Sequence, residues 1–73
     1  MHKEFYKDLG IRIKYFRKLR GITQQELAER MDMSLNFIGK IEVAFCKPSL
    51  DTLIKLATVL NTNVSDITRF YKD

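Results

Sequence analysis

The chain has one cysteine, Cys46, and one histidine, His2. A single cysteine closes no internal disulfide, which fits a reducing compartment, and the two residues together fall short of a protein zinc site. A lone loop cysteine of this kind, even beside Lys47, is ordinarily inert. Glycine and proline are scarce, at three and one, so a linker or a disordered tail is not expected. No apolar run approaches the roughly 18 residues of a membrane span. Met1-His2-Lys3-Glu4 leads straight into mixed charge instead of a signal-peptide core, and the expected location is the cytoplasm. There is no glycine-rich phosphate loop, no nucleophile with a base placed beside it and no cluster of metal ligands. Neither catalysis nor a cofactor is therefore expected.

What remains is a chain of 73 residues, 45% hydrophobic and 30% charged. That length gives one domain, residues 1–73, which buries only about 60% of the surface its unfolded form exposes. The formal charge is +4, and its placement says more than its size. Residues 1–20 carry Lys3, Lys7, Arg12, Lys14, Arg17, Lys18 and Arg20 against Glu4 and Asp8, whereas the remainder is nearly neutral. A polyanionic partner is favoured, though a basic row opposite an apolar face is more often simply solvated.

The apolar spacing is helical throughout. Phe5, Leu9, Ile13 and Phe16 mark one face of a helix over 3–20, stopped by Gly21. Gly10, inside it, costs about 1 kcal/mol relative to alanine and suggests a close helix approach. Thr23 and Glu26 form a T-x-x-E capping box, with Ile22 and Leu27 as the hydrophobic staple. They open a helix over 24–31 that turns Leu27, Ala28 and Met31 inward. Asp32-Met33-Ser34 predicts a tight turn, because Asp tolerates left-handed geometry and Ser34 is a good N-cap. A third helix over 35–43 buries Ile38 and Ile41. Pro48 keeps the residues before it in a loop. Ser49 opens a helix over 50–60, with Leu50, Leu53, Ile54, Ala57 and Leu60 on one side, and Ser65 opens a last one over 65–71.

The run Ile22-Thr23-Gln24-Gln25-Glu26-Leu27-Ala28, followed by Met33-Ser34, Ile38, Ile41-Glu42, Pro48-Ser49-Leu50 and Leu53, resembles the helix-turn-helix family of phage repressors and Cro, the XRE group. Leu9-Gly10, Ile13, Phe16-Arg17, Leu60 and Val64-Ser65-Asp66-Ile67 extend the resemblance over most of the chain. It implies a compact all-α, five-helix domain of the phage-repressor type, with the helix-turn-helix at about 22–43. Two positions depart from the family pattern. Asp32 stands at the turn where the family usually has glycine, and Ala44 replaces the glycine of Glu-x-Gly. The second puts the path of the 44–47 loop, and any phosphate contact made there, in question.

A helix-turn-helix lays its second helix in the major groove, whose base edges carry a distinct donor and acceptor pattern. With Ile38 and Ile41 inward, Ser34, Leu35, Asn36, Phe37, Gly39 and Lys40 are left for the other side. The resemblance places Leu35, Asn36 and Lys40 on base-reading positions, where Asn suits adenine, Lys suits guanine and Leu a thymine methyl. Taken without it, Leu35 and Phe37 equally well complete a core. Gln24, at the first turn of its helix, suits a phosphate, as does Lys47. The resemblance makes Arg17 and Glu42 a structural pair joining the first and third helices.

The function these readings imply is sequence-specific binding of double-stranded DNA by a small homodimeric regulator, a repressor or a restriction–modification controller. An antitoxin-type protein that also binds a toxin, and an interaction module without DNA binding, are the alternatives. For the dimer, Ile67, Phe70 and Tyr71 share one face of the last helix and are the expected interface. The competing expectation folds Phe70 and Tyr71 back onto Phe5 and Tyr6.

Overall fold

The computed structural model describes residues 2–70. Five helices follow one another: α1 Lys3–Leu19, α2 Gln24–Met31, α3 Leu35–Glu42, α4 Leu50–Val59 and α5 Val64–Ile67.

Each helix from α2 to α5 begins on a side chain three residues from the amide it satisfies. Thr23 accepts from the Glu26 amide at 3.0 Å, and the Glu26 carboxylate accepts from the Thr23 amide at 2.9 Å, which completes the capping box. Ser34 accepts from Phe37 N–H, Ser49 from Thr52 N–H and Asn63 from Asp66 N–H. These caps answer amide groups that have no partner within their own helix. The bond with the Thr23 backbone holds the Glu26 carboxyl below its usual pKa.

The helix ends are equally uniform. At the ends of α1, α2, α3 and α4, one residue adopts a left-handed conformation: Gly21, Asp32, Ala44 and Asn61, with φ of 70°, 56°, 65° and 57°. At each, two amides turn back onto carbonyls of the last turn, as Phe45 N–H does onto Lys40 O at 2.7 Å and Ala44 N–H onto Ile41 O at 3.1 Å. This is the Schellman arrangement. Asp32 and Ala44 thus adopt the backbone that glycine would adopt, and for Ala44 it carries steric strain.

Leu9, Ile13, Phe16, Ile22, Leu27, Ala28, Met31, Ile38, Ile41, Leu56, Ala57, Leu60 and Ile67 form one core. Burying a Leu or Ile side chain contributes about 1.5–3 kcal/mol, so α2 and α3, only 8 residues each, are held by packing more than by propensity. Gly10 is where α1 crosses α3. A Cβ added there would lie 2.5 Å from Glu42 O and 2.7 Å from Ile41 O, so only glycine lets the two backbones meet.

Two expectations need correction. On α4 the buried residues are Thr52, Leu56 and Ala57, while Leu50 and Ile54 are 65% and 49% exposed. Asp51, Lys55 and Thr58 mark the outward side, but the apolar arc opposite them is wider than the neighbouring helices cover, and Leu50 and Ile54 lie at its edge. The last helix is also shorter than 65–71. It is capped by Asn63 and ends at Ile67, where the Thr68 amide donates to Val64 O and the Thr68 hydroxyl donates to the same carbonyl.

Candidate nucleic-acid interface

α2 and α3 are joined by Asp32-Met33-Ser34, and α3 is gripped from behind. Arg17 on α1 points its guanidinium into the α1–α3 contact, where Nε donates to Glu42 Oε2 at 2.7 Å and Nη2 to Glu42 Oε1 at 3.2 Å. Its Nη1 donates to Ile22 O at 2.9 Å. The Arg17 and Glu42 side chains are only 9% and 1% exposed. A planar fork against a carboxylate fixes both distance and angle, so the pair orients α3 and the start of α2 together. Gln24 is the third member: its Nε2 donates to Glu42 Oε1 at 2.9 Å. The sequence suggested Gln24 for a phosphate and gave no sign of this bond. Its side chain is half-buried, and its amide is committed to the support of α3.

The opposite side of α3 is open. Asn36 and Lys40 are exposed and Leu35 is 45% exposed, so these three stand together on the outward face. Ser34 is exposed, but its hydroxyl oxygen is occupied in capping. Phe37 is partly buried against the core, which leaves it less surface for a groove. Gly39 lies between them, and a Cβ built on it would meet only Gln24 Oε1, at 3.9 Å. Beyond α3, Lys47 is exposed, with Nζ 5.3 Å from the centre of the Tyr6 ring.

The basic residues of α1 divide by type, a split the sequence reading missed. Besides Arg17, Arg12 donates from Nε and Nη2 to Asp66 O, both at 3.2 Å, and Arg20 donates to Leu60 O and Asn61 O. All three arginines tie α1 to other helices. The lysines, at positions 3, 7, 14 and 18, are all exposed. The signal was available in principle, because the guanidinium fork suits carbonyl and carboxylate clamping and the ammonium does not.

The expected dimer face is not exposed as a unit. Ile67 is fully buried in the protomer's own core, and the Phe70 ring lies 5.5 Å from the Phe5 ring. Ile67 cannot serve as an interface residue in this fold, because its side chain already fills the space between α1, α4 and α5. Tyr71 lies outside the described residues.

An outward-facing third helix held by a buried ion pair suggests comparison with known DNA readers. Residues 13–67 match the HTH_3 helix-turn-helix family. The chain belongs to that family. As a helix-turn-helix protein it is 42% identical over 59 residues to the immunity repressor protein of Bacillus phage phi105, covering 81% of this chain and 41% of that one. It is 36% identical over 58 residues to the HTH-type transcriptional regulator YazB of Bacillus subtilis, covering 80% and 84%. Among solved structures, the restriction–modification controller protein C.AhdI of Aeromonas hydrophila superposes with a TM-score of 0.81 at 26% identity, over 85% of this chain and 94% of that one. The clp gene regulator ClgR of Corynebacterium glutamicum superposes with a TM-score of 0.87 at 26% identity, over 89% and 83%. This helix-turn-helix chain spans less than half the length of the phage repressor and most of YazB. Its family and its relatives are DNA-binding transcription regulators. Among the described residues, no helix is long and apolar enough to cross a membrane.

Proposed function

We propose that the protein recognises a specific double-stranded DNA sequence as a homodimer and represses transcription by occupying a promoter. The observation that carries this reading is the two-sidedness of α3. Its inner side is fixed by the Arg17–Glu42–Gln24 network, while Leu35, Asn36 and Lys40 project outward without competing bonds to the protein in the described residues. Preorganised, uncommitted side chains on a rigid helix are what direct readout requires. A controller of a restriction–modification system is the same function in another setting, supported by the likeness to C.AhdI.

Reading a two-fold operator needs recognition helices about 34 Å apart, hence two copies. With Ile67 buried, we assign the homodimer contact to Leu50 and Ile54. These are exposed apolar side chains one turn apart on α4, the helix that follows the recognition helix and its loop. A toxin or other protein partner would find a different apolar row in Ile11, Tyr15 and Leu19, each more than half exposed at four-residue spacing on α1.

In vitro selection from random duplex DNA tests the reading. The expected result is a site of two inverted half-sites about one helical turn apart. Asn36→Ala and Lys40→Ala should then each lose about 1–3 kcal/mol on that site and relax base choice at one position. Failure to enrich any sequence would overturn specific recognition. A single asymmetric half-site, with a monomer in sedimentation, would overturn the homodimer.

A further inference from the structure

The first two turns of α1 and the loop after α3 enclose an open cleft of about 340 Å³. Lys3 and Lys7 line it from α1 and Lys47 from the loop, with Tyr6 and Phe45 as its aromatic sides and Glu4 as its one carboxylate. We infer that this cleft is a second DNA-backbone site, in which Lys3 and Lys7 join Lys47 in holding phosphates beyond those reached by the helix-turn-helix itself. The inference rests on the DNA-binding reading above and extends its footprint.

Six observations support it. α3 and its loop carry only Lys40 and Lys47 as cations, and phosphate neutralisation supplies much of the affinity of a DNA reader. The missing positive charge therefore has to come from another element. One wall of the cleft is the loop that leaves the recognition helix, so the cleft adjoins the strand α3 would read. Phe45, 83% exposed at the rim, offers an apolar face to a deoxyribose. Lys47 lies over the Tyr6 ring on the α1 side of the cleft, which brings its charge toward Lys3 and Lys7. Lys3 and Lys7 are one turn apart, a rise of about 6 Å, close to the separation of neighbouring phosphates on one strand. Among the described residues, no lysine is held in an ion pair.

The chain supplies its own control. Lys14 and Lys18 continue the same lysine row along α1 but do not line the cleft. Contact and long-range steering therefore predict different results for two variants of equal charge. Binding to the selected operator, with natural flanking sequence, is measured as a function of salt for wild type, Lys3→Gln/Lys7→Gln and Lys14→Gln/Lys18→Gln. Thermal melts confirm that each variant is folded. If each cleft lysine neutralises one phosphate, the first variant lowers the slope of log K against log salt by about 1.8, a loss of roughly 30-fold at 0.15 M salt. The second variant should leave the slope near wild type. Neutral methylphosphonates at the flanking positions should weaken wild-type binding and have little further effect on Lys3→Gln/Lys7→Gln. Equal losses for the two variants, or undiminished methylphosphonate sensitivity in the first, would overturn the second site while leaving operator binding intact. If the wild type binds no DNA, both the site and the reading beneath it fail.

Discussion

Gly10 in α1 and Gly39 in α3 both interrupt a helix with its least favourable common residue short of proline, and they lie on opposite sides of the recognition helix. Behind α3, a Cβ on Gly10 would collide with the backbone of Ile41 and Glu42. In front, a Cβ on Gly39 would meet nothing closer than 3.9 Å. The first glycine is demanded by packing inside the protein. The second meets no such neighbour, and it stands beside the face on which DNA is proposed to sit. A helix cost of the same size is thus incurred for the fold at one position and, under the proposed function, for approach to DNA at the other.

Substitutions can break or sharpen that contrast. The largest effect is expected behind α3 at Glu42. Glu42→Ala strands the buried Arg17 guanidinium and removes the acceptor of Gln24, which should cost about 3–5 kcal/mol. That is comparable to everything a core of this size supplies. The melting temperature in calorimetry should fall steeply, and a variant that melts like wild type while changing base preference would move Glu42 to the reading face. Gly10→Ala comes next. Overpacking against backbone costs about 1–3 kcal/mol, at the upper end here because neither carbonyl belongs to a flexible side chain. Urea midpoints should show it, and an unchanged midpoint would mean that α1 and α3 separate easily.

The same change at Gly39 should have the opposite sign. Gly39→Ala is expected to raise stability by up to about 1 kcal/mol through helix propensity while weakening operator binding. Melting and gel shift on one sample measure both. A variant that is more stable and binds fully would show that the groove wall stays clear of Gly39. The smallest effect is at the end of α3. Ala44→Gly removes left-handed strain of about 1–2 kcal/mol but loosens the unfolded chain by about 0.4–1 kcal/mol, leaving a net gain on the order of 0.5–1 kcal/mol. A loss of stability would mean that Ala44 packs better than its backbone suggests.

The helix boundaries were legible because their signals are local. Thr23 with Glu26, Ser34, Ser49 and Gly21 each declare an end within a few residues, and α1 to α4 fall within one residue of their expected limits. The inward faces of α1, α2 and α3 were legible because their apolar residues keep a helical period. α4 was less so, since Leu50, Leu53, Ile54, Leu56, Val59 and Leu60 spread over more than half of the helix, and only its neighbours decide which of them are covered. At the site, the Arg17–Glu42 pair was named through resemblance, and Arg17 Nε lies 2.7 Å from Glu42 Oε2. Gln24's bond to Glu42 and the arginine clamps of Arg12 and Arg20 depend on partners 18, 54 and 40 residues away in sequence, which no local pattern encodes. Ile67 was misassigned because an apolar residue near a chain end reads the same whether it is buried at home or offered to a second copy.

The caps and left-handed stops also bear on how quickly the chain finds its fold. Each of α2, α3, α4 and α5 starts on a bond spanning three residues, and each of α1 to α4 ends on bonds spanning three to five. Closing loops that short takes on the order of 10–100 ns, and helical domains dominated by such local contacts fold in microseconds to milliseconds. The slow step is then the docking of already bounded helices, above all the meeting of Gly10 with the end of α3. Loosening a cap, already formed before that step, should then slow refolding with little effect on the unfolding rate, whereas loosening the crossing should divide its effect between the two.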